Sequence, residues 1–204
     1  MTEAELARRY GVSRGIAREA VGRLRALGVL DSRQRKGIVV GRVDPIKLVA
    51  QSLPMYHRSP RDLLSLARLR YVLEVGSVEL AVRNATDDQI RQLAALAQKF
   101  AELRGRPASA ARANEIDLAF HGLLLAMTGE PLVAGMHKVL AEYFHLETAT
   151  STKRVIVDEA TYWQHQAIVN ALQIRDVEQA RALLRQHLQW NVDVIPSDFV
   201  VAAP

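Results

Sequence analysis

The sequence predicts a mostly α-helical protein, in which a small N-terminal domain of short helices and strands precedes a larger all-α bundle. Two short helical patterns and a strand pair are indicated within residues 1–42, and long amphipathic patterns follow from residue 61 without strand-like alternation. The chain has 204 residues, of which 49% are hydrophobic, so a core of ordinary size can form.

The composition excludes several kinds of protein and site. The chain has no cysteine, which leaves histidine, aspartate and glutamate as the plausible metal ligands. The sequence lacks the uninterrupted run of about 18 apolar residues that a membrane helix needs. Met1 to Tyr10 is polar, unlike a secretory signal. We therefore expect a cytoplasmic protein with no membrane association.

Positive charge is concentrated at the N-terminus. Residues 1–43 contain ten Lys and Arg against four Asp and Glu, whereas the rest of the chain contains 17 basic and 18 acidic side chains. The excess of the whole chain, +5, therefore arises from its first fifth. Because Lys and Arg neutralise DNA phosphates, this asymmetry indicates a polyanion-binding module, and a solvated basic face is the alternative that charge alone leaves open.

The first residues have the pattern of a helix-turn-helix. A short helix is predicted from Glu3 to Tyr10, a turn follows at Gly11-Val12, and Ser13 is a suitable N-cap for a second helix that runs to about Leu27, with Gly28 as its C-cap. The apolar residues expected to pack the two helices together are Leu6, Ala7, Ile16, Ala20, Val21 and Leu24. The second helix would then enter the major groove of DNA by its N-terminus.

Two apolar runs after this helix predict a two-stranded wing. Val29-Leu30 and Ile38 to Val40 flank the basic loop from Arg33 to Gly37, so the wing would carry a cationic tip. The fold class is therefore a partial winged helix-turn-helix followed by an all-α bundle. Candidate DNA-binding residues lie at the start of the second helix, along it and at the wing: Ser13, Arg14, Gly15, Arg18, Arg23, Arg35, Lys36 and Gly37.

These residues resemble a known family. The run Glu-Leu-Ala-x-x-Tyr-Gly-Val-Ser-Arg-x-x-x-Arg-Glu-Ala-Val, which begins at Glu5, is similar to the winged helix of GntR-family bacterial regulators. The resemblance implies that Arg14 and Arg18 are the main DNA-contacting side chains. Ala4 stands where relatives often carry a polar contact residue, and relatives have an earlier helix and strand before the position of Met1. We therefore expect either that translation begins upstream of Met1 or that the head is trimmed at its N-terminus.

The rest of the chain is predicted to be a linker and a helical domain. Residues 43–59 contain Pro45 and Pro54 and form the expected linker, with one short helix from Ile46 to Ser52. A bundle domain over 60–196 and a tail over 197–204 follow. The six helical patterns of the bundle cover 61–83, 87–104, 108–127, 131–150, 153–173 and 176–194.

Three helices of this bundle direct ionisable side chains inward. Asp117 and His121 share an apolar helix face, and His165 and His187 each lie on the apolar face of another helix. A single inward histidine is usually a satisfied core residue, but three nitrogens and one oxygen suit a divalent metal ion that also balances a buried carboxylate. Zn²⁺ is the ion that we expect, with Ni²⁺ or Mn²⁺ as alternatives. His57, His137 and His145 receive no role.

The same residues carry a second resemblance. The motifs are Asp117-x-x-Phe120-His121, Gly129-Glu130-Pro131-Leu132, His165-Gln166-Ala167-Ile168 and Ala182-x-x-x-x-His187-Leu188. They resemble the FCD ligand-binding domain of the FadR branch of the GntR family. The resemblance implies a metal site at Asp117, His121, His165 and His187, with a small organic acid approaching the metal. It also implies that Arg70 binds an effector carboxylate, although a solvated helix charge is the alternative.

We therefore expect a metabolite-responsive transcriptional regulator, acting as a repressor. A homodimer would present two basic heads to the half-sites of an operator, and a carboxylate effector would shift the balance between head arrangements. Two alternatives are a metal-dependent helical enzyme and a sensor whose trimmed head does not bind DNA. Turnover by the purified protein would favour the first alternative, and failure to bind any DNA the second.

Overall fold

The computed structural model describes residues 1–34, 36–56, 60–103, 110–150 and 159–193. It separates into two compact units, Met1–Ser52 and Leu53–Pro204. The described residues are mostly helical and form one small antiparallel sheet, so the predicted fold class is confirmed. No helix among the residues that the model describes is long and apolar enough to cross a membrane.

The first unit begins with the helix-turn-helix. Helix α1 is Glu3–Tyr10 and helix α2 is Arg14–Ala26. Thr2 starts α1 with a capping box that it shares with Glu5, and Gly11 ends the helix in the left-handed conformation, with φ 64°. The Ser13 side chain caps α2 as predicted, because its oxygen accepts a hydrogen bond from the backbone N–H of Ile16 at 3.2 Å.

The wing follows directly from the end of α2. Gly28 adopts φ 72° just after the helix, and the chain reverses into strand β1, Leu30–Arg33. Strand β2, Gly37–Val40, pairs antiparallel with β1 in the register Leu30 opposite Val40. The predicted wing is therefore present. Met1 also exchanges two backbone hydrogen bonds with Ile38, of 2.7 and 3.3 Å, and so lies beside β2.

The packing of α1 against α2 differs in part from the sequence expectation. Ala7, Ala17 and Val21 are buried, with Val21 only 2% exposed, whereas Ile16, Ala20 and Leu24 are exposed. Ala17 and Val21 are four residues apart and share one face of α2. Ile16 lies about 100° away from Ala17 around the helix, which turns it out of the contact with α1. The expectation was therefore right for Val21 and wrong for Ile16, Ala20 and Leu24.

The segment predicted as a linker is more helical than expected. Helix α3 is Pro45–Tyr56, so it begins one residue before the predicted short helix and ends four residues after it. The Asp44 carboxylate accepts hydrogen bonds from the backbone N–H groups of Ile46 at 3.0 Å and Lys47 at 3.3 Å. Pro45 then occupies the first helical position, where it needs no hydrogen-bond donor. Both residues that mark the start of α3, Asp44 and Pro45, are therefore visible in the sequence.

Within the residues that the structure describes, the bundle of the second unit has six helices, as predicted. These are α4, Pro60–Asn84; α5, Asp87–Glu102; α6, Ala110–Ala126; α7, Pro131–Thr150; α8, Glu159–Gln173; and α9, Val177–Asp193. Residues 153–158 of the fifth predicted helix lie outside the described residues. The main core contains apolar side chains of α4, α5, α6, α8 and α9, among them Phe120, Ile168 and Leu184.

Arg175 connects the turn between α8 and α9 to the end of α4. It follows α8 with φ 58°, and its guanidinium donates to the backbone carbonyls of Val82 at 2.8 Å and Ala85 at 2.7 Å. These carbonyls belong to the last turn of α4 and the residue after it, where the helix leaves acceptors without partners. The turn between α8 and α9 is thereby fastened to the end of α4.

A close contact between α6 and α7 involves a histidine to which the sequence analysis gave no role. His137 on α7 is 4% exposed, and its Nε2 has no hydrogen-bond partner. A Cβ placed on Gly122 of α6 would lie 3.2 Å from Cε1 of His137. The ring therefore occupies the space that a side chain at position 122 would need. His57 and the side chain of His145 lie outside the described residues.

This contact predicts coupling between positions 122 and 137. Replacing a helical glycine by alanine normally stabilises a protein by about 0.5–1 kcal/mol. In the wild-type background, the His137 ring should abolish or reverse this gain for Gly122→Ala, whereas the full gain should appear in the His137→Ala background. Chemical denaturation of the four proteins of the cycle measures the coupling. An equal effect of Gly122→Ala in both backgrounds would refute the contact.

Candidate metal centre and nucleic-acid interface

Four potential metal ligands meet in the interior of the bundle. Asp117 and His121 lie one turn apart on α6, His165 lies on α8 and His187 lies on α9. One ligand atom of each residue lies within 4.8 Å of those of the other three. The structure therefore brings together all four residues that the sequence analysis placed at a metal site.

The distances within this cluster fit a single ion. Nε2 of His121 lies 3.0 Å from Nε2 of His187, and Oδ1 of Asp117 lies 3.3 Å from Nε2 of His165 and 3.6 Å from Nε2 of His121. Ligands bound to Zn²⁺ at about 2.0–2.1 Å in a tetrahedron stand about 3.3 Å apart. These three distances are close to that spacing, and all four ligand atoms lie within 4.8 Å of one another.

The hydrogen bonds behind two of the histidines determine which nitrogen faces the cluster. The Nδ1–H of His121 donates to the Glu74 carboxylate, and the Nδ1–H of His187 donates to Oε1 of Gln164 at 2.9 Å. In the neutral imidazoles both Nε2 atoms then carry lone pairs, and these face each other at 3.0 Å. Such an arrangement needs a shared proton or a metal ion between the two nitrogens.

The third histidine, His165, has fewer hydrogen-bond partners than the other two. His165 is fully buried and neither ring nitrogen makes a hydrogen bond, although Oδ1 of Asp117 lies 3.3 Å from its Nε2. Phe120 and Phe100 pack against the ring, with ring centroids at 4.3 and 5.0 Å. A buried polar atom without a partner is costly, and a metal ion bound to Nε2 would remove that cost for this nitrogen. The donor set of the cluster therefore fits a divalent ion.

The surroundings also bias the protonation of the ligands. Burial lowers the pKa of His165, and burial together with the neighbouring His121 lowers that of His187 to about 3. Burial would also lower the pKa of His121, but the negative charges of Glu74 and Asp117 outweigh it and raise the value. Two of the three imidazoles are therefore held neutral, which is the form that binds a metal.

Helix α4 contributes a buried ion pair that the sequence analysis identified only in part. Arg70 is 9% exposed and Glu74 is 0% exposed. The Arg70 Nε–H donates to Glu74 at 2.7 Å, and its Nη2 donates to Oδ2 of Asp117 at 3.3 Å. The alternative of a solvated Arg70 is therefore wrong, because two carboxylates hold this side chain in the interior.

The sequence alone did not identify three other side chains around the cluster: Glu74, Gln164 and His137. Glu74 stands four residues after Arg70, a spacing that places opposite charges side by side on a helix and could have drawn attention to it. Gln164 directly precedes His165, but nothing in its sequence context indicates a bond to His187. His137 had no signal either, because its burial depends on the fit of α7 against Gly122.

The candidate DNA-binding residues of the helix-turn-helix lie at the exposed start of α2. Arg14, Gly15 and Arg18 occupy its first turns, directly after the N-cap Ser13. Arg18 is mostly exposed, and its Nε lies 3.4 Å from a carboxylate oxygen of Glu3. Arg14 and Arg18 border a groove of 390 Å³ in the first unit, which residues of α1, α2 and the wing also line.

The remaining candidates lie further along α2 and on the wing. Arg23 is exposed and pairs with Glu19 at 2.6 Å. Lys36 is exposed at the tip of the wing, next to Gly37, which adopts φ 69°. Arg35, the other predicted wing contact, lies outside the described residues. The described candidates thus belong to one basic unit, but they are distributed over the start of α2, its later turns and the wing tip.

Two family models match the chain in the order of its two units. Residues 1–40 match the bacterial regulatory proteins of the gntR family, and residues 65–189 match the FCD domain. FCD domains are commonly associated with metal ions, which agrees with the presence of the Asp and His cluster. GntR-family regulators bind operator DNA.

Comparisons with whole proteins agree with these matches. The chain is 26% identical to the HTH-type transcriptional repressor NanR of Escherichia coli over 192 residues, which cover 92% of this chain and 72% of that protein. It is 27% identical to NanR of Citrobacter rodentium, with 92% and 73% covered.

Solved structures share the fold. The Streptococcus agalactiae GntR structure aligns with TM-score 0.60 and 23% identity over 93% of this chain and 86% of that chain. The Escherichia coli McbR/YncC structure aligns with TM-score 0.54 and 21% identity over 94% and 84%. Together, the matches indicate a DNA-binding regulator rather than an enzyme, and the chain belongs to the GntR family of transcriptional regulators, with an FCD domain behind its winged helix.

Proposed function

We propose that this regulator is a metabolite-responsive repressor whose FCD domain binds one divalent metal ion and a small organic acid. The observation that carries the proposal is the pair of facing Nε2 atoms of His121 and His187, 3.0 Å apart, beside the unsatisfied His165. Binding of the acid would shift the population of head arrangements and so change the affinity for an operator in the cytoplasm.

The DNA-reading part of the proposal rests on α2 and the wing. The N-terminus of a helix can enter the major groove, where arginine side chains reach base edges and phosphates. Arg14, Gly15 and Arg18 would make these contacts, while Ser13 holds the first turn in shape through its cap. Arg23, Arg35, Lys36 and Gly37 would contact the DNA backbone or the minor groove.

Removal of one reading side chain tests this assignment. Arg14→Ala should weaken binding to a promoter fragment upstream of the protein's own gene by about 1–3 kcal/mol, because a groove contact is lost. Fluorescence anisotropy at fixed salt measures the affinity. Arg91→Ala removes the same charge from an exposed position on α5 and should leave binding unchanged. Equal affinity of the Arg14 and Arg91 variants would contradict the proposed role of Arg14.

The metal part of the proposal assigns Asp117, His121, His165 and His187 as ligands. Three imidazoles and one carboxylate suit Zn²⁺ best, with Ni²⁺ or Mn²⁺ as alternatives. When bound, such an ion would act as a Lewis acid that attracts a carboxylate. The protein side chains would supply the fixed spacing of the ligands and, through Phe100 and Phe120, an apolar wall beside His165.

The charges around the cluster support an anionic effector. With neutral imidazoles, Asp117 and Glu74 supply two negative charges and Arg70 supplies one positive charge, so a divalent ion would leave the buried group with one excess positive charge. A carboxylate bound to the ion would cancel that charge. Arg70 carries five N–H donors, and those not directed at Glu74 and Asp117 could also bind the effector carboxylate.

Loss of two imidazoles should abolish metal binding. His165→Ala combined with His187→Ala removes two of the four ligands, and we expect no saturable heat when Zn²⁺ is titrated into the chelator-treated full-length variant. Gln173→Ala, at an exposed position on α8, should bind one Zn²⁺ per chain as the wild type does. Tight binding of one Zn²⁺ by the double variant would show that the ligands have been misidentified.

We also propose that the regulator is a homodimer, with a second copy of the chain on an exposed apolar stripe of α4. Leu69, Val72 and Leu80 on this helix are 37%, 63% and 41% exposed, and Gly76 lies between the last two with open space around it. Two such helices crossing antiparallel at Gly76 would place Val72 of one copy opposite Leu80 of the other. The resulting two-fold symmetry would match two operator half-sites.

A charge on this stripe should separate the copies. Val72→Glu would bury two like carboxylates in the two-fold contact, and we expect sedimentation equilibrium to give the mass of one chain instead of two. Ile174→Glu introduces the same group at a residue that is 69% exposed elsewhere in the bundle and should leave the mass unchanged. A dimeric Val72→Glu protein, or a monomeric wild type, would refute the stripe as the dimer contact.

A further inference from the structure

Helix α4 supplies none of the four candidate ligands, yet it contacts two of them. Arg70 and Glu74 stand one helical turn apart on α4 and point at Asp117 and His121, which stand one turn apart on α6. The two pairs face each other, so that each α4 side chain meets one ligand. This arrangement suggests that Arg70 and Glu74 determine the orientation of the two ligands through hydrogen bonds.

Glu74 determines the orientation of His121. One carboxylate oxygen, Oε2, accepts the Nδ1–H of His121, and the other, Oε1, accepts the Nε–H of Arg70 at 2.7 Å. A carboxylate can only accept at these positions, so a neutral His121 must carry its proton on Nδ1 and present the lone pair of Nε2 to the cluster. Glu74 is 0% exposed, so bulk water does not compete for these hydrogen bonds.

Arg70 has the corresponding effect on Asp117. Its Nη2 donates to Oδ2 at 3.3 Å, whereas the other oxygen, Oδ1, lies 3.3 Å from Nε2 of His165 and 3.6 Å from Nε2 of His121. The two oxygens of the carboxylate thus face different partners. Oδ1 is therefore the Asp117 oxygen that could hold an ion at the cluster, while Oδ2 stays bonded to Arg70.

We propose that Arg70 and Glu74 are positioning residues for the metal centre: Glu74 fixes the tautomer and ring orientation of His121, and Arg70 limits Asp117 to one ligand oxygen. This role rests on the proposed function, because it presupposes that the cluster binds a metal. Hydrogen-bond partners of this kind typically change metal affinity by about 10- to 100-fold when they are removed.

The variant Glu74→Gln tests the role with little change of shape. An amide has one acceptor and one donor end, so it cannot accept from both Arg70 and His121 as the carboxylate does. We expect the full-length variant to bind Zn²⁺ about 10- to 100-fold more weakly than the wild type in competition with a chromophoric chelator. Glu79→Gln, the same change on the same helix at a half-exposed ion pair, is the matched control and should leave the affinity unchanged.

A second variant and a second readout separate positioning from stability. Arg70→Lys keeps the charge but loses the planar group that bonds to Glu74 and Asp117 together. With Co²⁺ as the probe, we expect its visible absorption bands to differ from those of the wild type, because the oxygen ligation of Asp117 changes. Thermal unfolding of the metal-free variants reports any purely structural effect.

The outcomes distinguish this inference from the proposed function. If the wild type takes up neither Zn²⁺ nor Co²⁺, the metal centre itself is refuted, and the positioning role with it. If the wild type binds both ions and Glu74→Gln binds Zn²⁺ as tightly as Glu79→Gln, the role of Glu74 is overturned alone. If Glu74→Gln does not fold, the Arg70→Lys spectrum decides, and a spectrum identical to that of the wild type overturns the positioning pair.

Discussion

The burial of a charged cluster inside a helical bundle is the constraint on which the second unit depends. Glu74, Arg70, His121 and His165 are at most 9% exposed, and Asp117 lies among them. Burying such groups without partners would cost several kcal/mol for each charge. Arg70, Glu74, Asp117 and His121 satisfy one another, and this requirement fixes α4 and α6 relative to each other more narrowly than apolar packing alone.

Apolar and polar residues on the inner faces of these helices have different roles. On α6, Phe120 and Leu124 enter the main core, while Asp117 and His121 meet the ion pair of α4. On α8, Ile168 and Val169 are fully buried one turn after His165. The apolar residues stabilise the bundle, and the polar residues determine what the bundle can bind. A metal ion would join the polar groups of three helices in one set of bonds.

Much of this architecture could be predicted from the sequence because it is recorded in local patterns. Helical periodicity gave the six helices of the bundle, and turn chemistry at Gly11, Ser13 and Gly28 gave the helix-turn-helix. The inward direction of Asp117, His121, His165 and His187 followed from the same periodicity. The resemblance to the FCD domain added the grouping of these four residues, which periodicity on separate helices does not contain.

What the sequence did not reveal depends on contacts between distant elements. The burial of His137 requires the space at Gly122, and the bond from His187 to Gln164 requires a particular fit of α9 on α8. Arg70 could be read as solvated because its two carboxylate partners lie four and 47 residues away. Ile16 was expected to be buried because the helical pattern places it on the apolar face of α2. The pattern does not indicate how much of that face α1 covers.

Native mass spectrometry of the full-length wild-type protein, purified without chelators, tests the central claim most directly. The claim is that the FCD domain is built around a metal centre. The account predicts a folded protein that carries the added mass of one divalent metal ion per chain, which mild acid releases. Folded chains that show only the bare polypeptide mass, and that remain so after incubation with Zn²⁺, Ni²⁺ and Mn²⁺, would contradict it.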